Sequence, residues 1–179
     1  MRVLVTGAGG FVGKVVARRL AAAGHQVQAI YRKTRPEDLL DLDRLDLRRL
    51  DLAGLEALEP LEAVVHCAAE VPAFCPDPDA LYRGNVEAAR RLFDAALAAG
   101  ATRIVYLSSM SVYGTIATPV VTEDTPSTDP EIYGRSKLEG ERILLGFRDA
   151  FDVVVFRCPT IVDAGRLGRI LTLNGQFWL

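Results

Sequence analysis

The chain has 179 residues, half of them hydrophobic and a quarter charged, a balance that suits one globular domain with a real core. A formal net charge of −2 excludes a general affinity for nucleic acid or an anionic membrane surface. No apolar run approaches the roughly 20 residues that span a bilayer, and Met1 to Gly7 reads as a strand entering a turn rather than a leader, so a cytoplasmic protein with no membrane partner is expected.

Arg2 to Thr6 is a short β-branched run that stops at a glycine cluster. Val12 to Ala23 then shows helical apolar spacing that ends at Gly24, and Gln26 to Tyr31 follows as a second strand. These first thirty residues predict a βαβ unit, the signature of a parallel sheet with right-handed crossovers. Further strands are predicted at Leu47–Leu52, Ala63–Ala68, Ile104–Ser108 and Asp152–Arg157, nearly all apolar, as strands covered on both faces are. Helices are predicted at Leu55–Leu58, Asp79–Gly100 and Tyr133–Phe151, with Gly100 as a C-cap. Proline-rich stretches at Pro72–Pro78 and Pro119–Pro130 read as loops that can border a substrate cleft. The alternation predicts a doubly wound α/β Rossmann fold, a parallel sheet with helices on both faces. Cys67, Cys75 and Cys158 stand at no zinc-ligand or CxxC spacing and read as free thiols, with no metal site.

The glycines at positions 7, 10 and 13 lie between a strand and a helix, which is the context that gives such a triplet meaning. Gly7 permits a tight turn, Gly10 lets backbone approach a pyrophosphate, and Gly13 lets helix pack on strand, with Phe11 and Val12 at the head of that helix. The helix N-terminus stabilises the anion. Residues 1–36 carry Arg2, Lys14, Arg18, Arg19, Arg32, Lys33 and Arg35 but no Asp or Glu, a local positive field suited to a phosphorylated ligand. Arg18 and Arg19 read as solvated helix surface. At the end of the second strand, where NAD sites place a carboxylate for the ribose 2′-hydroxyl, stand Tyr31 and Arg32. Arg32, helped by Lys33 or Arg35, can pair with a 2′-phosphate, so the expected cofactor is NAD(P), with NADP favoured over NAD.

From Met1 to about Val162 the sequence resembles the extended short-chain dehydrogenases/reductases, in particular their NAD-dependent epimerase/dehydratase-like, nucleotide-sugar branch. The glycine turn has that family's TGxxGxxG form, and Leu50-Asp51-Leu52 is similar to its adenine-contacting pair. Val65-His66-Cys67-Ala68-Ala69 resembles its fourth-strand motif that lines the cofactor, and Asn85-Val86 its structural asparagine helix. Leu107 to Gly114 resembles its catalytic serine strand, and Tyr133 to Glu141 its YxxxK helix. The resemblance therefore implies cofactor contacts from Asp51, Leu52, Cys67, Ala68, Ala69, Asn85, Tyr133 and Lys137, and catalysis by Ser109, Tyr133 and Lys137, with Ser108 as the alternative serine.

The chemistry of Tyr133 and Lys137 also follows from their spacing, since i and i+4 share one helix face. A nearby ammonium, together with an oxidised nicotinamide, favours phenolate and moves the phenol toward neutrality, where it can exchange a proton with a substrate hydroxyl or carbonyl. Ser109 would hydrogen-bond the same oxygen. His66 reads as a packed or backbone-bonded histidine, and Asn85 as a side chain bonding backbone near the serine strand. Met110 and Ser111 stand where the resembled 4,6-dehydratases carry an acidic pair, which disfavours dehydration. The expected function is a sugar-nucleotide epimerase-like oxidoreductase acting on a small-molecule substrate. A carbonyl reductase using NADPH and a non-catalytic dinucleotide-binding module are the alternatives.

Residues 1–164 are expected to form the dinucleotide-binding domain. Residues 165–179 are expected to form a short tail, the remnant or start of a substrate-binding part. Its Phe177-Trp178-Leu179 end needs burial, and a homodimer is one way to provide it.

Overall fold

The computed structural model describes residues 1–161; the expected tail lies outside the described residues. Six strands form one sheet: β1 (Arg2–Thr6), β2 (Gln26–Tyr31), β3 (Leu45–Arg49), β4 (Ala63–His66), β5 (Arg103–Ser109) and β6 (Asp152–Cys158). Every pairing is parallel and the spatial order is β3-β2-β1-β4-β5-β6. The chain runs outward from β1 to β3, then returns to lay β4 on the other side of β1. That reversal opens a crevice beyond the carboxyl ends of β1 and β4, the place where ligands sit in open α/β sheets.

The alternation within β1 sets the two layers. Val3 and Val5 face one side, packing with Val27, Ala29 and Ala63 against Ala17 and Ala21 of α1 (Phe11–Ala22). Leu4 faces the other, where Val64, Ile104 and Tyr106 meet Leu92 and Phe93 of α2 (Pro78–Ala98) and Ile143 and Leu144 of α3 (Ile132–Leu145). A strand with both faces covered can be apolar throughout, which is why the sequence reads as continuous runs rather than alternation. At the edge, β6 leaves Val154 and Phe156 exposed. Among the described residues, no helix is long and apolar enough to cross a membrane.

The predicted helix at 55–58 does not form. A single turn is costly to nucleate, and it would be flanked here by Gly54 and Pro60, the latter pushing its predecessor toward extended backbone. The chain instead makes a 3₁₀ turn at Leu52–Gly54, capped by Asp51, whose side chain accepts from the Ala53 N–H at 3.1 Å. That cap also explains why β3 ends at Arg49 rather than Leu52. Helix α3 stops at Leu145 rather than Phe151; Gly146 follows as its cap, and Phe147 and Phe151 stack on each other at 5.7 Å between ring centroids.

Candidate cofactor cleft and active site

The turn between β1 and α1 is shaped by two glycines. Gly7 adopts a positive φ of 72°, and a Cβ there would lie 2.7 Å from the Ala68 backbone nitrogen. Gly13 packs against the Gly7 carbonyl so closely that a Cβ would collide with it. The turn is tied down by the Ala8 N–H to the Ile30 carbonyl (2.8 Å) and the Gly10 N–H to the Gly7 carbonyl (2.8 Å). The first turn of α1 carries no acidic residue, so its amide dipoles face the crevice without a competing carboxylate.

That crevice is a cleft of about 510 Å³. Of the residues assigned to the cofactor from sequence, Gly7, Gly10, Arg32, Asp51, Leu52, Cys67, Ala68, Ala69 and Asn85 all line it. Phe11, Val12 and Gly13, in the first turn of α1, and Tyr133 and Lys137, on α3, are not among its lining residues. These features fit a dinucleotide: a backbone cradle that a Cβ would fill, and a helix start free of carboxylates. Its pyrophosphate would rest on the turn at Gly10, and its adenosine between Arg32 and Asp51.

The positive field expected over residues 1–36 is partly compensated. Lys14 pairs with Asp38 at 3.3 Å, and Arg18 bonds the same carboxylate. Arg32, expected to meet a 2′-phosphate, is ion-paired with Glu70, so its guanidinium is already engaged by a carboxylate.

His66 is buried and neutral. Burial, with a smaller contribution from the Lys137 charge, pulls its pKa down to about 3. The Thr6 hydroxyl accepts from the Ala68 N–H at 3.2 Å and is hydrogen-bonded with His66 Nδ1 at 2.7 Å. The packed-histidine reading therefore holds. Asn85 bonds backbone, but at a different place from the one expected: its Oδ1 accepts from the Glu70 N–H at 2.6 Å and its Nδ2 donates to the Glu70 carbonyl at 3.0 Å, beyond β4 rather than beside the serine strand. The same Nδ2 also reaches α3, donating to Ser136 Oγ at 2.9 Å.

The two serines at the end of β5 separate cleanly. Ser108 is buried and donates to Glu141. Ser109 is half-buried, accepts from the Ser111 N–H at 3.1 Å, and is near enough to the Tyr133 phenol to pull its pKa downward. Ser109 is thus the serine brought to Tyr133. Lys137, one turn along α3, is 2% exposed, with its Nζ 4.1 Å from the centroid of the Tyr106 ring. Burial lowers its pKa to about 8, with Cys67, Glu141 and Cys158 acting in the opposite direction.

Burial holds the Tyr133 phenol above its ordinary value, Ser109 opposes this, and Cys158 adds to the rise. The charge of an oxidised nicotinamide, on which the expected shift toward neutrality depends, would act in the opposite direction to burial.

Three groups of this region carry no signal that sequence reasoning used. Arg157 of β6 donates through Nη2 to Glu141 at 2.8 Å and through Nε at 3.1 and 3.2 Å, and its Nη1 donates to the Tyr113 hydroxyl at 3.0 Å and the Glu123 carbonyl at 3.1 Å. Tyr113 in turn donates to the Thr122 carbonyl at 2.9 Å. This network ties the loop after β5 to α3 and β6. Only the i+4 spacing of Glu141 from Lys137 hinted that it shared the buried face.

Residues 3–172 match the model of the NAD-dependent epimerase/dehydratase family. The chain belongs to that family. Among curated members, it is 33% identical to a UDP-glucose 4-epimerase of Mycolicibacterium smegmatis, over 98% of this chain and 59% of that protein. It is also 33% identical to the methionine adenosyltransferase 2 subunit beta of Rattus norvegicus, over 89% of this chain and 47% of that protein. Among solved structures, MoeE5 in complex with UDP-glucose and NAD superposes with a TM-score of 0.77 at 34% identity, over 88% of this chain and 54% of that one. The chain thus spans about half the length of the curated family members it matches, 43% of one and 59% of another.

Proposed function

We propose that this chain carries the dinucleotide-binding and proton-transferring half of a sugar-nucleotide epimerase-like oxidoreductase. The observation that carries the reading is the glycine-turn cleft, with Tyr133 and the buried Lys137 one turn apart on α3 and Ser109 acting on the Tyr133 phenol. Lys137 is within electrostatic reach of Cys67, which lines the cleft. The glycine turn at Gly7–Gly13 would hold the pyrophosphate, and Asp51 and Leu52 the adenosine end.

When bound, the dinucleotide supplies a hydride acceptor or donor, and its oxidised form adds a positive charge that favours phenolate. As phenolate, Tyr133 would take the proton from a carbinol that gives up its hydride, and as phenol it would return that proton to the carbonyl oxygen when the hydride comes back. Ser109 steadies the charge on the same oxygen. Lys137 holds its proton at pH 7 and loses it near 8, which places a cation beneath the cleft at neutral pH.

A second reading has one observation in its favour. A family member matched over most of this chain is named as a subunit of another enzyme rather than as an epimerase, which suits a dinucleotide-binding module without its own turnover.

The test is a screen of UDP-sugars and simple carbonyls with NADH, NADPH and their oxidised forms, using Tyr133→Phe as control. Interconversion of a UDP-sugar that vanishes in Tyr133→Phe supports the proposal. Dinucleotide binding with no turnover of any substrate favours the module, and turnover of carbonyls alone favours a reductase.

A further inference from the structure

Arg32 follows directly on β2, at the place where a dinucleotide's adenosine ribose is read in this kind of fold. Taken alone, a guanidinium there invites a 2′-phosphate. Its partner changes that meaning. Glu70, which lies beyond β4 on the other side of β1, reaches across the mouth of the cleft and pairs with it. The carboxylate is the more buried member, with its side chain 13% exposed against 39% for Arg32.

Glu70 is held from several directions. Asn85 is 5% exposed and grips both the N–H and the carbonyl of Glu70, at 2.6 and 3.0 Å. Gly84, one residue earlier on α2, leaves room for the side chain: a Cβ at Gly84 would lie 3.0 Å from Glu70 Cγ. Asp51, on the far wall, adds a second negative charge acting on the same guanidinium.

We infer that Glu70 is the residue that sets dinucleotide choice, engaging Arg32 and presenting a carboxylate at the ribose 2′ position, so that the cleft selects NAD over NADP. The inference rests on the reading of the cleft as a nicotinamide dinucleotide site. A 2′-hydroxyl can donate to a carboxylate at this position, as it does to the acid that NAD sites usually carry on β2. A 2′-phosphate must instead displace Glu70 from Arg32 and then sit beside a part-buried carboxylate and Asp51, so that whatever it gains from Arg32 is offset by like-charge repulsion and by the displaced Glu70. Lys33, which also lines the cleft, is the cation left to give NADP its residual affinity.

The experiment is a fluorescence titration of the 179-residue chain with NADH and NADPH, repeated on Glu70→Gln and on Glu70→Gln with Arg32→Ala. The wild type is expected to bind NADH tighter by about tenfold or more, the scale of one charge-assisted hydrogen bond gained or lost. Glu70→Gln keeps the shape and removes the charge, so it should narrow that ratio by about tenfold through tighter NADPH binding, and adding Arg32→Ala should abolish the gain. Tighter NADPH than NADH in the wild type overturns the inference, whatever the variants do. So does a Glu70→Gln protein, folded by circular dichroism, whose ratio is unchanged; if that variant does not fold, Glu70→Ser is read the same way. Failure of the wild type to bind either dinucleotide sinks the cleft reading itself, a result distinct from both.

Discussion

At the β1 and β4 end of the cleft the chain presents backbone: a turn with Gly7 at positive φ, Gly13 packed on the Gly7 carbonyl, and amides at the head of α1. Around β5 and α3, outside the lining of that cleft, it presents side chains: Ser109 beside Tyr133, and Arg157, Glu141 and Ser108 locked together. The first end needs only small residues at fixed spacing, so it tolerates much else. The second needs several long polar side chains to agree in position, and each depends on a partner from another element. Damage to the first should therefore show in binding, and damage to the second in turnover and in folding.

The sharpest way to break that contrast is Tyr133→Phe. It should lower turnover of whatever substrate is found by about 10²–10⁴-fold, the usual worth of a positioned acid or base, while leaving dinucleotide affinity nearly unchanged. An equal loss in affinity would place the phenol in binding rather than proton transfer. Next in size is Arg157→Leu. It leaves the 3%-exposed Glu141 without its counter-charge, and urea unfolding should show a loss of about 3 kcal/mol. A loss below the ordinary scatter of surface substitutions would mean that the network holds nothing together.

Gly13→Ala sharpens the comparison from the other end. The added methyl collides with the Gly7 carbonyl, so the turn must shift; overpacking of this kind costs about 1–3 kcal/mol, and dinucleotide binding should weaken as the amides move. Turnover at saturating dinucleotide should be much less affected. Unchanged affinity in a folded variant would deny the turn its role.

The smallest effect concerns pH. His66 has a pKa of about 3 in the fold against an ordinary 6.5, so between these values the unfolded chain binds the extra proton and the folded one does not. Stability should therefore fall as pH drops from 6.5 toward 3, by at most about 1.4 kcal/mol per pH unit from this group. The slope should flatten in His66→Gln, measured by thermal unfolding at pH 7, 6 and 5. A slope unaffected by the substitution would mean that His66 is not the buried neutral group described.

What the sequence revealed follows the same division. The sheet, the three long helices and the glycine turn were legible because each is encoded within a few residues: an apolar run, a helical spacing, a glycine where a Cβ has no room. The wall of the cleft was legible through Ala68, Ala69 and Asn85 as motif positions, although the backbone that Asn85 grips was not. Leu55–Leu58 was misread because four apolar-rich residues between Gly54 and Pro60 satisfy the periodicity without having the length to pay for nucleation. Most of what was hidden is long-range. Glu70 is separated from Arg32 by 38 positions and Glu141 from Arg157 by 16, and only the order β2-β1-β4 and the packing of α3 beside β6 bring them together. The place of the Lys137 ammonium was hidden for a related reason, since spacing puts Lys137 and Tyr133 on one helix face but does not say that the ammonium lies over the Tyr106 ring.

The central claim is that a nicotinamide dinucleotide lies along this cleft with its reactive ring beside the Tyr133 phenol. A crystal structure of the chain grown with NAD tests it most directly. The account predicts the pyrophosphate against the Gly10 end of α1 and the nicotinamide within hydrogen-bonding distance of the Ser109 and Tyr133 side of the cleft. A dinucleotide bound elsewhere, or one whose nicotinamide points away from Tyr133, would contradict it.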